Sequence, residues 1–508
     1  MKSSEKHIDR RNFIGRAAGT AASAAAFSIV PRSVLGKGYV PPSDRITVAN
    51  IGCGTQGLRE MPRMLENPEL QVVAVCDVNK YSTDYLDWSP NGIVNGIRRT
   101  LNEPGWGQFI NGIPGGRDIG QKYVEDYYSV NLKDGTFKGV NAYEDFRELL
   151  EKEADLDAVK LMTPDHHHGW MAIAAMKKGI HVITHKPISN RLAEGRKVIE
   201  TAKETRVKTH LLAWGDKPAY RLIRDWITDG VIGNLREIHN WSYRPVWPQY
   251  QGKPQESKPM PDGFNWQLWL GPEKDRPYHP HYTHNVFRGW FDFGGGSIAD
   301  MGHYSMFPLF RTLGITSSPV SAKAYGTTYR TTVNNVCRPV DNKEAFPYSC
   351  IYKFQFPRQQ SLPAFDLYWY DGGMKPFAPP ELEEDGRDIA AEGLMFVGDQ
   401  GKILAGFQGN SPEIIPASKM KAYAGVKTFE EVEAERRSDT WSRAIKSGEE
   451  SPGSFLYAGP VTDMINLGVV ALRAGKKIEF DSASMKITND ESANQYLHRD
   501  YRDGWELV

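Results

Sequence analysis

At 508 residues the chain is too long for one ordinary hydrophobic core, so two domains are expected. Lys plus Arg and Asp plus Glu stand at 62 each, which leaves no basic excess to attract nucleic acid or an anionic membrane. The four cysteines, Cys53, Cys76, Cys337 and Cys350, lack the paired C-x-x-C spacing of a zinc site; Cys53 and Cys76 read as buried free thiols, and a Cys337–Cys350 bridge is left open.

The N-terminus carries Asp9-Arg10-Arg11-Asn12-Phe13-Ile14-Gly15 and then an uncharged, Ala-rich run from Ala17 to Val30. Paired arginines, a nearby Phe and a weakly apolar stretch resemble a twin-arginine export signal over residues 1–36. The run has no periodic polar face, as a helix of the mature fold would, and is too short to span a bilayer. Expected from this are a periplasmic location, the export machinery as partner and no stable membrane insertion.

The first strong strand signal, Arg45 to Ile51, runs directly into Gly52-Cys53-Gly54-Thr55-Gln56-Gly57, and Leu58 to Glu66 reads as a helix. In G-x-G-x-x-G at this position, Gly52 permits the tight turn, Gly54 lets backbone approach a pyrophosphate and Gly57 allows close helix–strand contact. Thr55 and Gln56 open the helix whose free N–H groups face the phosphates. A second apolar strand, Leu70 to Cys76, ends in Asp77, 20 residues after Gly57. A carboxylate there binds ribose hydroxyls and repels a 2′-phosphate, so NAD is expected over NADP. Together these features predict a Rossmann domain over residues 37–187, interrupted at about 85–125 by a Gly-, Pro- and Trp-rich inserted loop that could cover the cofactor cleft. An exported protein meets no nicotinamide pool, so the dinucleotide is expected to be tightly bound and restored within the site.

A further strand, Asp157 to Met162, ends in Thr163-Pro164-Asp165-His166-His167-His168, and the next, His181 to Thr184, ends in His185-Lys186-Pro187. This closely resembles the Gfo/Idh/MocA oxidoreductases, named for glucose–fructose oxidoreductase and inositol dehydrogenase, in which one strand ends in T-P-x-x-x-H and the next in E-K-P; His185 replaces the glutamate here. The resemblance runs to the end of the chain. It implies an α/β protein in which residues 188–508 form an α+β substrate domain with a large, mostly antiparallel open sheet, and it implies a homo-oligomer. It also implies that Thr163, Pro164, His167 or His168, and Lys186-Pro187 border the nicotinamide, and that Lys186 carries the proton of the reacting hydroxyl. Three consecutive histidines point different ways and have no carboxylate partner nearby, so no metal is expected.

The family's D-x-G-x-H pattern reads Asp300-Met301-Gly302-His303-Tyr304 here, with His303 one position early and Tyr304 in the catalytic place, as in the branch resembling glucose–fructose oxidoreductase. Tyr304 is therefore expected beside Lys186 as acid/base group and Asp300 on a substrate hydroxyl, while His303 reads equally as a substrate contact or a buried structural residue. From the aromatic and basic run between these landmarks, Arg244, Tyr282, Arg288 and Trp290 are expected to meet the substrate, since pyranose rings offer C–H faces to aromatics and hydroxyls to Arg and Asp. The resemblance thus implies an enzyme moving hydride between a sugar or glycoside hydroxyl and NAD. The alternative is a glycosidase resembling the NAD-dependent N-acetylgalactosaminidases, which oxidise transiently and eliminate the aglycone; the Lys186-Pro187 pair favours the former.

Overall fold

The computed structural model describes residues 42–132, 137, 139–423 and 437–507. The proposed export signal lies outside them.

Six parallel strands make the first sheet: β1 (Ile46–Ile51), β2 (Leu70–Cys76), β3 (Asn141–Tyr143), β4 (Ala158–Leu161), β5 (His181–Thr184) and β6 (Thr209–Leu211), in the order β3-β2-β1-β4-β5-β6. This is the doubly wound order, whose switch point between β1 and β4 opens a crevice at the strands' C-terminal ends. The central strand β4 is buried along its whole length because helices cover both faces of the sheet. Its Lys160 survives there because Nζ donates to the Glu60 carbonyl at 3.1 Å.

The structure moves two expected boundaries. After Pro187 the helix Leu192–Thr205 returns the chain to β6, which pairs with β5 over Val182–Thr209 to Thr184–Leu211, so the first sheet ends near residue 211 and not at 187. The stretch expected as an inserted loop over 85–125 also contains order. Ile93, Val94 and Ile97 form the buried stripe of the helix Gly92–Leu101, and the regular crossover helix Arg117–Asn131 has already begun.

The second sheet has nine strands: β7 (Leu235–Trp241), β8 (Ser321–Gly326), β11 (Cys350–Phe356), β12 (Phe365–Tyr370), β13 (Gly393–Gly398), β14 (Lys402–Ala405), β15 (Glu413–Ile415), β16 (Ile478–Asp481) and β17 (Lys486–Ile487); β9 (Arg330–Val333) and β10 (Val336–Pro339) form a separate hairpin. All its pairings are antiparallel except β7 with β12. Strict alternation in β11 and β12 puts Tyr352, Phe354, Leu367 and Trp369 inside and Lys353, Asp366 and Tyr368 on the other face. The inner face is covered by the helix Gly459–Ala474, eleven of whose residues are buried. Cys337 and Cys350 are both free, the first exposed and the second buried.

The chain then returns to the first domain. Arg499, with 2% of its side chain exposed, joins Glu273 at 2.9 Å and Glu194 at 3.2 Å, while Tyr501 donates to Glu194 at 2.7 Å. Removing one member of such a buried network strands the others, so Arg499→Met is expected to cost about 3–5 kcal/mol, read as a lowered midpoint in denaturant, and Arg499→Lys to recover part of it.

Candidate active site

The cleft at the ends of β1, β2 and β4 holds about 1040 Å3 of non-atom space, part of it open to solvent. Its floor is the glycine turn. A Cβ at Gly57 would lie 2.1 Å from the Gly52 carbonyl oxygen, and one at Gly52, whose φ is +100°, would lie 2.6 Å from the Met162 backbone. The helix that starts at Thr55 has no side-chain cap, and Gly54, Thr55 and Gln56 line the cleft, so first-turn N–H groups are left for an anion. Asp77 lines the same cleft, with its carboxylate held by the Cys53 N–H at 2.6 Å and the Asn79 N–H at 2.8 Å. Burial raises its pKa, against the pull of those two bonds. Beyond Asp77 the wall turns apolar, with Val78, Phe146, Met171, Leu268 and Trp505. A glycine turn with free N–H groups, a buried carboxylate and an apolar wall fit a dinucleotide.

The cleft is roofed from three places in the chain. The segment before the helix Trp266–Leu270 is stitched to the loop after β2, with the Asn265 N–H donating to the Val78 carbonyl at 2.9 Å and the Lys80 N–H to the Gly263 carbonyl at 2.8 Å. The insertion brings Tyr85 against Gly54 and under His284, ring centroids 4.0 Å apart, and His284 Nε2 reaches Asp84 at 3.2 Å. The C-terminal segment brings Trp505, packed on Trp170 at 4.9 Å with Arg147 over its ring at 4.7 Å.

At the other end stand the residues expected to react. Lys186 Nζ is bonded to Asp300 Oδ1, and Arg288 Nε reaches the same oxygen at 3.2 Å; 2% of the Lys186 side chain and 13% of that of Asp300 are exposed. Burial lowers the Lys186 pKa, and the Asp300 charge only partly restores it. Burial pushes the Asp300 carboxyl up, but Lys186 and Arg288 together hold it below its ordinary value. A π turn, Ile298–Gly302, precedes the helix His303–Leu313, and its wider turn leaves Asp300 and Tyr304 both beside Lys186, whose Nζ lies 5.0 Å from the Tyr304 ring centroid. The Tyr304 hydroxyl is 2.7 Å from His185 Nε2, and His185 and Arg288 line the cofactor cleft.

The neighbouring histidines part company. His167 lines the cleft with Thr163 and Pro164. His168 lies beneath it, its ring between the Pro187 carbonyl at 2.6 Å and the Thr163 carbonyl at 2.8 Å, where it ties the Lys186-Pro187 turn to the end of β4. Burial lowers its pKa to about 4, against the pull of the two carbonyls, which favour the doubly protonated ring, and burial lowers that of His303 to about 3. His303 is fully buried, and its Nδ1–H donates to the Ala299 carbonyl at 2.9 Å, which places it inside the helix packing and off the cleft wall. Among the described residues no cluster of metal ligands occurs, and no helix is long and apolar enough to cross a membrane.

Two expected substrate contacts are elsewhere. Tyr282 and Trp290, 4% and 1% exposed, pack on each other at 4.8 Å within an aromatic core that includes Phe293 and Trp266, and the Trp290 indole donates to the His281 carbonyl at 2.6 Å. Their rings are consumed in packing, the common fate of large aromatics. Arg244 is partly buried, close enough for its charge to act on Asp300. Sequence reasoning passed over Asp165 and Trp505. Asp165 is 3% exposed, accepts from the Gly295 N–H at 3.1 Å and has its pKa raised by burial to about 6, while Arg288 and Lys186 pull it down. Its place in the first helical turn after Thr163-Pro164 was a usable signal; Trp505 offered none.

The Asp165 carboxylate favours the ammonium form of Lys186. Asp165→Asn keeps an oxygen for Gly295 but removes that charge, so the inflection assigned to Lys186 in a rate–pH profile is expected to move to lower pH. An unmoved inflection would separate the two groups.

Comparison with known proteins finds one family on both parts of the chain. Residues 134–212 match the profile of an oxidoreductase family with an NAD-binding Rossmann fold, and residues 224–338 and 381–507 match the C-terminal alpha/beta domain of the same family. Levoglucosan dehydrogenase of Pseudarthrobacter phenanthrenivorans is 29% identical over 115 residues, 21% of this chain and 29% of that protein. Glycosyl hydrolase family 109 protein 3 of Phocaeicola vulgatus is 24% identical over 234 residues, 45% of this chain and 35% of that protein. The matches thus span about a third of these relatives' lengths. The solved WlbA dehydrogenase of Bordetella pertussis, in complex with NADH and UDP-GlcNAcA, aligns with 86% of this chain and 99% of its own at 14% identity and a TM-score of 0.49. On the two matched profiles, which meet the Rossmann sheet and the nine-stranded sheet in turn, this chain belongs to the Gfo/Idh/MocA family of NAD-binding oxidoreductases.

Proposed function

We propose that this protein is an exported enzyme that oxidises a hydroxyl of a sugar or glycoside and keeps its nicotinamide dinucleotide through the cycle. The observation that carries the reading is the buried Lys186–Asp300–Arg288 cluster beside the Tyr304–His185 pair, at the end of a cleft built for a dinucleotide. The bound nicotinamide would supply the hydride acceptor. This chain's own residues handle the proton. A hydroxyl that gives up hydride must also give up its proton, and Lys186, its pKa lowered by burial, is suited to take it as the neutral amine. Asp300 and Arg288 fix the amine's position, and Tyr304 offers a second route through its hydroxyl to His185. Because the base form is the deprotonated one, oxidation is expected to rise with pH to an inflection below an ordinary lysine's, and the reverse reduction to fall.

Retention is supported by the roof over the cleft: Trp505, the Gly263–Asn265 stitching and the Tyr85–His284 stack cover the dinucleotide's path out. It also suits the Arg10-Arg11 address, since a cofactor carried outside with its protein has no pool to exchange with. The second reading, a glycosidase that oxidises transiently, is favoured by the family 109 relative. Incubation of the purified protein with a panel of glycosides, followed by mass spectrometry, separates the two: loss of two hydrogens marks the oxidoreductase, and released aglycone marks the glycosidase.

Lys186→Ala and Tyr304→Phe are each expected to keep bound cofactor yet lose about 10²- to 10⁴-fold in turnover. An unchanged rate in either would remove that residue from the proton's path. Cofactor is expected to stay with the wild-type protein on gel filtration at high dilution, and its loss there would refute retention.

A further inference from the structure

The turn that carries Arg288 is fastened at both ends. His284–Gly289 is a short 3₁₀ helix, in which side chains at i and i+3 eclipse. That register brings Asn285 onto the Arg288 guanidinium, which it holds through Oδ1 and through its own carbonyl at 3.4 Å. From there Arg288 Nε reaches Asp300 at 3.2 Å. The last residue, Gly289, accepts from the Phe346 N–H at 2.8 Å. The first turn has no side-chain cap. Among the described residues, the polar contact that ties it to another segment is His284 Nε2 to Asp84 Oδ1, at 3.2 Å.

His284 needs that hold. Its φ is +52°, in the left-handed region that a residue with a side chain seldom occupies unless its surroundings fix it. The insertion supplies them. Asp84 gives the carboxylate, and the Tyr85 ring lies against the imidazole with centroids 4.0 Å apart. Tyr85 is itself wedged between two backbones, since a Cβ at Gly54 would come 3.0 Å from its ring and one at Gly115 2.5 Å. Ser82 and Gly115 exchange backbone bonds of 3.0 and 3.1 Å, and the Ile113 N–H donates to the Thr83 carbonyl at 2.8 Å, which stiffens the strip bearing both residues. The strip is also tied to the glycine turn, where the Thr55 hydroxyl donates to the Leu86 carbonyl at 2.8 Å. Direct contacts thus run from the glycine turn through Tyr85 and His284 to Arg288, and on to the oxygen bonded to Lys186.

We propose that His284 is a positioning residue: held by Asp84 and Tyr85, it keeps the 3₁₀ helix in the turn that sets Arg288 on Asp300, so that seating of the insertion on the glycine turn and alignment of the proton-handling cluster are coupled. With His284 released, Asp300 would be left to Lys186 alone, and the amine would lose the neighbouring cation that favours its neutral form. The enzyme is then most active with its cleft closed. This assignment rests on the oxidoreductase reading above, in which Lys186 takes the proton.

The test uses the holoenzyme with methyl α- and β-glycosides of glucose, galactose and mannose, following nicotinamide absorbance against pH, and amide hydrogen exchange of the same loaded protein. Asp84→Ala removes a carboxylate that is 56% exposed. It is expected to lower kcat about tenfold, to move the Lys186 inflection to higher pH, and to speed exchange over His284–Gly289 about tenfold. Asp84→Asn keeps an oxygen for the imidazole N–H and is expected to restore most of each. In Arg288→Gln the neighbouring charge is already gone, so adding Asp84→Ala is expected to leave the inflection where it was. Faster exchange with an unmoved inflection would make the insertion a cover alone and overturn the proposal, as would an equal shift in the Arg288→Gln background. If wild type oxidises none of the glycosides, the oxidoreductase reading fails on its own. Exchange then decides the coupling, and rates over His284–Gly289 indifferent to Asp84→Ala would refute it.

Discussion

An ammonium group taken out of water must find a counter-charge, and in this protein it finds one 114 residues away. Lys186 stands at the end of a parallel strand of the first sheet, whereas Asp300 and Arg288 come from the segment that leads into the helix His303–Leu313. The ion cluster therefore depends on both halves of the chain being folded and docked. The same burial that makes the docking necessary lowers the lysine's pKa. Several local features serve this one contact. His168 ties the Pro187 carbonyl to the end of β4, and the π turn at Ile298–Gly302 lets Asp300 and Tyr304 flank the amine together.

The cofactor cleft shows a comparable division of labour. Its floor is local: a strand, a glycine turn and a helix within some twenty residues. Its roof is not local, since Tyr85, Phe264, Trp269, His284 and Trp505 reach it from the insertion, the substrate domain and the C-terminal segment. The buried Arg499–Glu194–Glu273 network holds that last segment in place. A cleft closed by elements that also brace the fold is costly to open.

How much of this was legible follows from the range of the interactions. The glycine turn, Asp77 and the two strand ends at Thr163-Pro164 and Lys186-Pro187 are short-range patterns, each imposed by backbone geometry over a few residues. They were readable in order along the chain, and with them the two-domain α/β plan. The first sheet's sixth strand was missed because Thr209–Leu211 is only three residues long and declares itself only by pairing with β5. Tyr282 and Trp290 looked like sugar-facing aromatics because composition cannot tell a ring that packs from a ring that waits. Their ring partners, Trp266 and Phe293 for Tyr282 and Tyr282 itself for Trp290, settle the matter only in three dimensions.

By itself, then, the amino-acid order determined the dinucleotide motif and the strand ends that carry Thr163-Pro164 and Lys186-Pro187, because these are encoded in neighbouring residues. Tertiary structure alone decided which carboxylate answers Lys186, which histidine faces the cleft, and that Asp165 is a buried acid whose pKa burial raises to about 6. Charge pairing and desolvation depend on distances between residues far apart in the chain, and those distances exist only once it has folded.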